Sequence, residues 1–313
     1  MSTVALVPVS RSIPKVGRWR RILYAALILI ALAILYLAMG AALAWNTMRP
    51  KRRTHARTPA EYSLAFSSVT FPSGDGIKLA GWYVPAARSH PRGVIILCHG
   101  IDADRQAMLG NARMLHHADF VTLLIDFRAR GESGGNTCSL GYHEPEDLQA
   151  AVHWVKQRPE LHGVPIGVLG ASLGASTAIM AAARTPDILA VVAEAPFAQL
   201  DRAVDCHFRE LLGAPAPIFS LATRWAGEIA LGRRGQDISP VQEIVKIAPR
   251  PILIIEDEAD SLFPAEETHM LYKAAGEPKE LWTVPGAGHC GAFYTDPEEY
   301  NRRVTEFFVK NLK

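Results

Sequence analysis

The chain has 313 residues, 49% of them hydrophobic and 20% charged, which supplies a sizeable core and excludes a disordered polymer. Its 33 basic and 31 acidic residues leave a net charge of +2, with the basic excess gathered near the N-terminus, so no broad basic face for nucleic acid is expected. Cys98, Cys138, Cys206 and Cys290 are too scattered for a structural zinc site or a dithiol redox motif, and a bridge between Cys138 and Cys206 would need an oxidising compartment.

Residues 1–21 read as a basic leader. Residues 22–45 follow without a single charge, and at about 1.5 Å per residue they span roughly 36 Å, more than a hydrocarbon core of about 30 Å. The run has no polar stripe, and Trp19, Tyr24 and Trp45 stand near its ends as interfacial aromatics do, so it predicts one transmembrane anchor. A cleaved signal peptide is the competing reading, because Ala42-Leu43-Ala44 resembles a cleavage site; the length of the run and of its leader favours retention. Arg11, Lys15, Arg18, Arg20 and Arg21 precede the run, while Arg49, Lys51, Arg52, Arg53 and Arg57 follow it, so charge assigns no side of the membrane. Residues 46–60 read as a juxtamembrane linker.

From residue 61 to 313 strands and helices alternate. Residues 69–71 and 77–84 flank Gly74-Asp75-Gly76, a hairpin signal. Short β-branched runs predict buried strands at 93–99, 120–126, 166–169, 188–194, 251–256 and 281–284. Helical spacing predicts helices at 106–117, 144–156, 175–183, 266–275 and 298–312. Repeated units of this kind imply an α/β fold with a mostly parallel central sheet and helices on both faces. The rhythm breaks at about 197–240, where Phe208, Leu211, Leu212, Phe219, Trp225, Ile229 and Leu231 lie among prolines and glycines. That stretch reads as a helical lid inserted over the carboxyl edge of the sheet.

The chemistry centres on Gly170-Ala171-Ser172-Leu173-Gly174, between a predicted strand and an alanine-rich predicted helix. A serine between glycines at this spacing suits a strained strand-to-helix turn that pushes its hydroxyl outward. Such a hydroxyl needs a base, itself oriented by an acid. His289 is the candidate base, in the glycine-rich loop Val284-Pro285-Gly286-Ala287-Gly288-His289 after the last strand, where open α/β sheets bind ligands. Asp260 is the candidate acid, with Asp257, Glu258 and Glu194 as rivals. Backbone N–H groups of Leu173 and Ile101 are the candidate oxyanion hole. His99, ending a buried strand, reads as a structural histidine.

With these pieces the chain resembles an α/β-hydrolase over about residues 64–313. Leu97-Cys98-His99-Gly100 resembles the family's entry to the oxyanion hole, and Asp126-Phe127-Arg128-Ala129-Arg130-Gly131-Glu132-Ser133-Gly134-Gly135 resembles its D-x-R-G-x-G-x-S-x-G loop. Ala193-Glu194-Ala195-Pro196-Phe197, Ser239-Pro240, Asp260 before Phe263-Pro264, and the His289 loop match as well, with nucleophile, acid and base in the family order. With its N-terminal span the chain is similar to the Bem46/YfhR-like membrane-anchored serine hydrolases, relatives of the serine aminopeptidase S33 and monoacylglycerol lipase groups. Two departures stand out: Asp257 and Ala129 each replace a usual glycine.

The resemblance implies a membrane-anchored serine hydrolase acting through an acyl-enzyme on carboxylic esters or thioesters with no cofactor or metal; an anchored pocket beneath an apolar lid suggests lipid-like or acylated substrates, and the near balance of charge suggests no nucleic acid. Amide or peptide hydrolysis and acyl transfer on the same residues are the alternatives, and a non-catalytic membrane-tethered binding module is the rival from another class. Dehalogenation is disfavoured because it wants a carboxylate where Ser172 stands.

Overall fold

The computed structural model describes residues 17–52 and 56–313; most of the expected leader, with Arg11 and Lys15, and Arg53 of the linker lie outside the described residues. The apolar runs form β1 (Ser67–Pro72), β2 (Lys78–Val84), β3 (Gly93–Cys98), β4 (Phe120–Asp126), β5 (Ile166–Ala171), β6 (Ile188–Glu194), β7 (Ile252–Asp257) and β8 (Lys279–Val284). Among the described residues they make one eight-stranded sheet in the order β1-β2-β4-β3-β5-β6-β7-β8. The Gly74-Asp75-Gly76 turn joins β1 and β2 as an antiparallel hairpin, and β2 also runs antiparallel to β4. From β4 across to β8 every pairing is parallel.

The helices are α1 (Arg18–Met48), α2 (Leu109–His117), α3 (Glu144–Lys156), α4 (Leu173–Arg184), α5 (Leu200–Leu212), α6 (Ala216–Leu231), α7 (Pro240–Glu243), α8 (Ala265–Ala274), α9 (Ala292–Thr295) and α10 (Pro297–Asn311). A central strand must bury both faces, which is why β3 reads as an unbroken apolar run. Val94, Ile96 and Cys98 point to the layer of α3 and α4, where they share one cluster with Leu148 and Ile179, and Leu271 of α8 extends it over β7. Ile95 and Leu97 point to the opposite layer, with Leu115 of α2 and Phe308 of α10. One departure concerns the helix expected at 106–117. Asp104 accepts from the Gln106 N–H at 2.9 Å and tightens the first turn to a 3-10 segment, so α2 starts at Leu109.

The stretch expected as a lid carries α5 and α6, which stand over the carboxyl edge around an apolar cluster of Leu173, Phe197, Leu200, Ala203 and Phe263. Cys138 and Cys206 belong to the same cluster, and all four cysteines are free. The long apolar α1, 31 residues, lies along α6. The Tyr36 hydroxyl donates to the Ile218 carbonyl at 2.6 Å, and a Cβ on Gly40 would sit 2.5 Å from that of Ala222, so the helices meet where only glycine fits. Past α1 the Met48 carbonyl accepts from the Cys138 N–H at 2.7 Å. The Arg52 guanidinium then donates to the carbonyls of Gly131, Ser133 and Gly135.

Candidate active site

Ser172 sits between β5 and α4 with φ 54° and ψ −118°, a backbone conformation that costs about 1–3 kcal/mol and persists only where its surroundings enforce it. The glycines explain how. A Cβ at 170 would fall 2.3 Å from the Gly174 carbonyl oxygen, and one at 174 would fall 2.3 Å from that of Cys98. Their absence lets α4 start directly under the end of β3 and β5. The Ser172 N–H donates to the Glu194 carbonyl at 2.9 Å, tying the turn to β6.

The hydroxyl of Ser172 lies 2.9 Å from Nε2 of His289, and Nδ1 of the same ring lies 2.7 Å from Oδ2 of Asp260. The other carboxylate oxygen, Oδ1, accepts from the N–H groups of Leu262 and Phe263 at 2.8 and 2.9 Å, which fixes the rotamer that points Oδ2 at the ring. Phe263 packs edge-on to the imidazole at 5.1 Å between ring centres. Three side chains from the loops after β5, β7 and β8 thus converge, 117 and 29 residues apart in the chain.

The rival acids stand elsewhere. Glu258 is exposed and accepts from the Gly286 N–H at 3.0 Å. Asp257 ends β7, buried, with Oδ2 accepting from the Gly291 N–H at 3.3 Å and Oδ1 lacking a hydrogen-bond partner. Burial, and then the Asp260 charge, push its carboxyl up to about 6 against the help of the backbone N–H groups of Gly291 and Cys290. Glu194 accepts from the Tyr300 hydroxyl at 2.9 Å and the Ala292 N–H at 3.2 Å. Burial first, and the Asp257 charge second, raise it to about 8. Sequence reasoning named both residues as rival acids and missed only that they are buried together beneath the His289 loop.

His99 is buried, its Nδ1 within 2.7 Å of the Gly100 carbonyl and its Nε2 accepting from the Phe127 N–H at 3.2 Å. Burial lowers its affinity for a second proton, so the neutral ring joins the loops after β3 and β4. Gly100 passes within 3.3 Å of the Ser172 Cβ, measured from where its own Cβ would be, and so brings Ile101 beside the nucleophile turn. Ile101 and Leu173 both line a cavity of about 850 Å³ that opens over Ser172, within the range of about 300–1,000 Å³ typical of small-molecule sites. Phe197, Val204, Phe208 and Leu262 give it apolar walls, and Ala44 and Met48 of α1 complete them.

One group of potential metal ligands, Asp75, His143 and Glu146, lies away from this site with its donor atoms within 4.8 Å of one another. Arg128 engages Asp75 at 2.8 Å in an ion pair and His143 hydrogen-bonds Glu146 at 3.0 Å, so contacts within the protein account for the cluster.

Comparison with known proteins agrees with this fold. Residues 89–234 match the family model described as serine aminopeptidase, S33. YqkD of Bacillus subtilis is 30% identical over 77% of this chain and 78% of its own length. YfhR of Escherichia coli K12 is 25% identical over 78% of this chain and 81% of its own length. Among solved structures, the esterase Pf2001 of Pyrococcus furiosus superposes with a TM-score of 0.73 at 28% identity, covering 85% of this chain and 98% of that one.

Proposed function

The chain belongs to the α/β-hydrolase superfamily, in its serine aminopeptidase S33 family, and from that premise we propose that this serine hydrolase is membrane-anchored and cleaves carboxylic esters or thioesters of lipid-like acyl chains. The observation that carries the reading is the unbroken line Asp260–His289–Ser172, with both contacts at hydrogen-bond distance. In the proposed mechanism Ser172 Oγ attacks the carbonyl carbon while its proton passes to His289 Nε2. Asp260 holds the Nδ1–H, fixing the tautomer and stabilising the imidazolium that forms. The N–H groups of Leu173 and Ile101 stabilise the oxyanion. His289 then protonates the departing alcohol or thiol, and water, deprotonated by the same ring, releases the acid from the acyl-enzyme.

Ester rather than amide chemistry is supported by the likeness to an esterase and by the apolar cavity walls, which suit an acyl chain. Anchoring is supported by α1, which is long and apolar enough to cross a bilayer. The test is covalent capture by a fluorophosphonate. The wild-type chain should label and the Ser172→Ala chain should not, with equal far-ultraviolet circular dichroism. Undiminished labelling of Ser172→Ala, or none of the folded wild type, rejects the reading.

A further inference from the structure

The connection between α5 and α6 is built unlike a water-facing turn. Residues 211–223 contain no charged side chain, and Arg209, Glu210 and Arg224 bound them. Arg224 turns inward to Asp201 and Asp205 at 2.7 and 3.2 Å. Leu211, Leu212, Ile218, Leu221, Trp225 and Ile229 point outward, the last of them 84% exposed. Most of the backbone N–H groups are satisfied locally. Gly213 donates to Arg209, Ala216 to Gly213 and Ile218 to Pro215, while Pro215 and Pro217 carry no N–H. Among the described residues only the N–H of Ala214 is left over in residues 213–218. The hydroxyls of Ser220 and Thr223 return to the carbonyls of Pro217 and Phe219. A connection that leaves so few N–H groups over comes near the condition for lying in lipid.

Its position relative to α1 makes the second argument. Tyr36 meets Ile218, and Gly40 meets Ala222 four residues on in both helices, so α6 runs parallel to α1 with its N-terminal end level with Tyr36. If the apolar run crosses the hydrocarbon core up to Trp45, Tyr36 lies about 13 Å beneath the surface; if only its first twenty or so residues cross, the depth is still about 7 Å. Wherever α1 spans, the α5–α6 connection is carried into the same leaflet.

We infer that the α5–α6 hairpin is inserted in the bilayer beside α1 and that the enzyme's substrates are amphiphiles drawn from that leaflet. The inference rests on the reading of α1 as a retained anchor. Ala44 and Met48 of α1 and Thr223 and Gly227 of α6 are walls of the cavity over Ser172, so the two inserted helices also bound the space an acyl chain would fill.

The test uses the full-length protein in vesicles of phosphatidylcholine and phosphatidylglycerol, with nitroxide labels on Ala214→Cys, Leu29→Cys and Glu298→Cys and the unsubstituted chain as blank. Collision with oxygen against collision with a nickel chelate reads depth. Ala214 should group with Leu29 of α1; grouping with Glu298 of α10 overturns the inference, and shielding from both reagents, the mark of a second protein on this face, overturns it too. A Leu29 label that reads as aqueous defeats the anchor reading itself.

A second arm compares p-nitrophenyl palmitate held in the vesicles with soluble p-nitrophenyl acetate. Leu211→Glu combined with Ile218→Glu should lower hydrolysis of the first by about tenfold or more, because a carboxylate in the leaflet is strongly disfavoured, and leave the second within about twofold. Equal change of both rates, or of neither, counts against the inference. Lack of Ser172-dependent acetate hydrolysis would instead defeat the hydrolase reading.

Discussion

Asp257 and Asp260 leave one strand three residues apart, and only one of them touches the imidazole. An amide at 260 would present its NH₂ or its oxygen to Nδ1 with no charge to favour the productive tautomer. Asp260→Asn should therefore cut kcat on a soluble ester by about 10⁴-fold. Asp257→Asn removes a carboxylate bound to a backbone N–H of the loop, and should stay within about threefold of wild type. Steady-state rates of the two variants, side by side, decide; the reverse ranking would move the acid's role to Asp257. Ala129 offers a test of backbone strain. It holds φ 61° where the family loop usually has glycine, a left-handed conformation that costs an L-residue about 1–2 kcal/mol. Ala129→Gly relieves that cost against a smaller loss of chain entropy and should raise the melting temperature by about 1–4 °C. An unchanged or lower melting temperature would show the strain to be absorbed elsewhere. The candidates Ser172 and Asp260 were legible in the chain because each follows a strand with a clear apolar run, and His289 because a glycine-rich loop carries it. The Glu194–Tyr300 hydrogen bond was not, since its partners are 106 residues apart and the motif around Glu194 gives no pointer to Tyr300.

At the scale of elements, the strands were legible and one helix pairing was not. β3 to β7 are buried on both faces, so each appears in the chain as an uninterrupted apolar run; β8, at the sheet edge, is buried only at alternate positions, and its first residues were missed. The approach of α1 to α6 has no such mark, because Gly40 and Ala222 are ordinary residues until the fold brings their helices together. That approach predicts the outcome of Gly40→Leu. The new side chain would start within 2.7 Å of the Ala222 backbone, which cannot yield without moving the helix. Overpacking of this kind costs about 1–3 kcal/mol, and each kcal/mol lowers the melting temperature of a domain this size by about 2–4 °C. Leu29→Ala, on an exposed part of α1, is the control and should leave the melt unchanged. A Gly40→Leu protein that melts with wild type would mean that the two helices are not held together.

The molecule as a whole carries two buried carboxyls where β6, β7, the His289 loop and α10 meet, and this sets a pH dependence of its stability. Burial raises Glu194 to about 8 and Asp257 to about 6, against 4.5 and 3.8 for the unburied groups. The folded state therefore binds these protons more tightly than the unfolded chain. Their stabilising contribution is complete below about pH 4 and is lost as the pH rises through about 6 for Asp257 and about 8 for Glu194. Other charged pairs titrate over the same range, so the wild-type curve alone mixes several groups, and a difference between two proteins isolates this one. Glu194→Gln keeps one oxygen to accept from the Ala292 N–H, turns its NH₂ toward the Tyr300 oxygen, and has no proton to lose. Relative to that variant, wild type should gain stability on acidification from pH 9 to pH 5, little above about 8 and most steeply between about 7 and 5.5, as read from denaturant midpoints at each pH. A wild-type-minus-variant difference that stays flat across the range would place the ionised carboxylate of Glu194 in the folded protein at neutral pH. The Tyr300 hydroxyl would then be bonded to a full charge beneath the nucleophile turn.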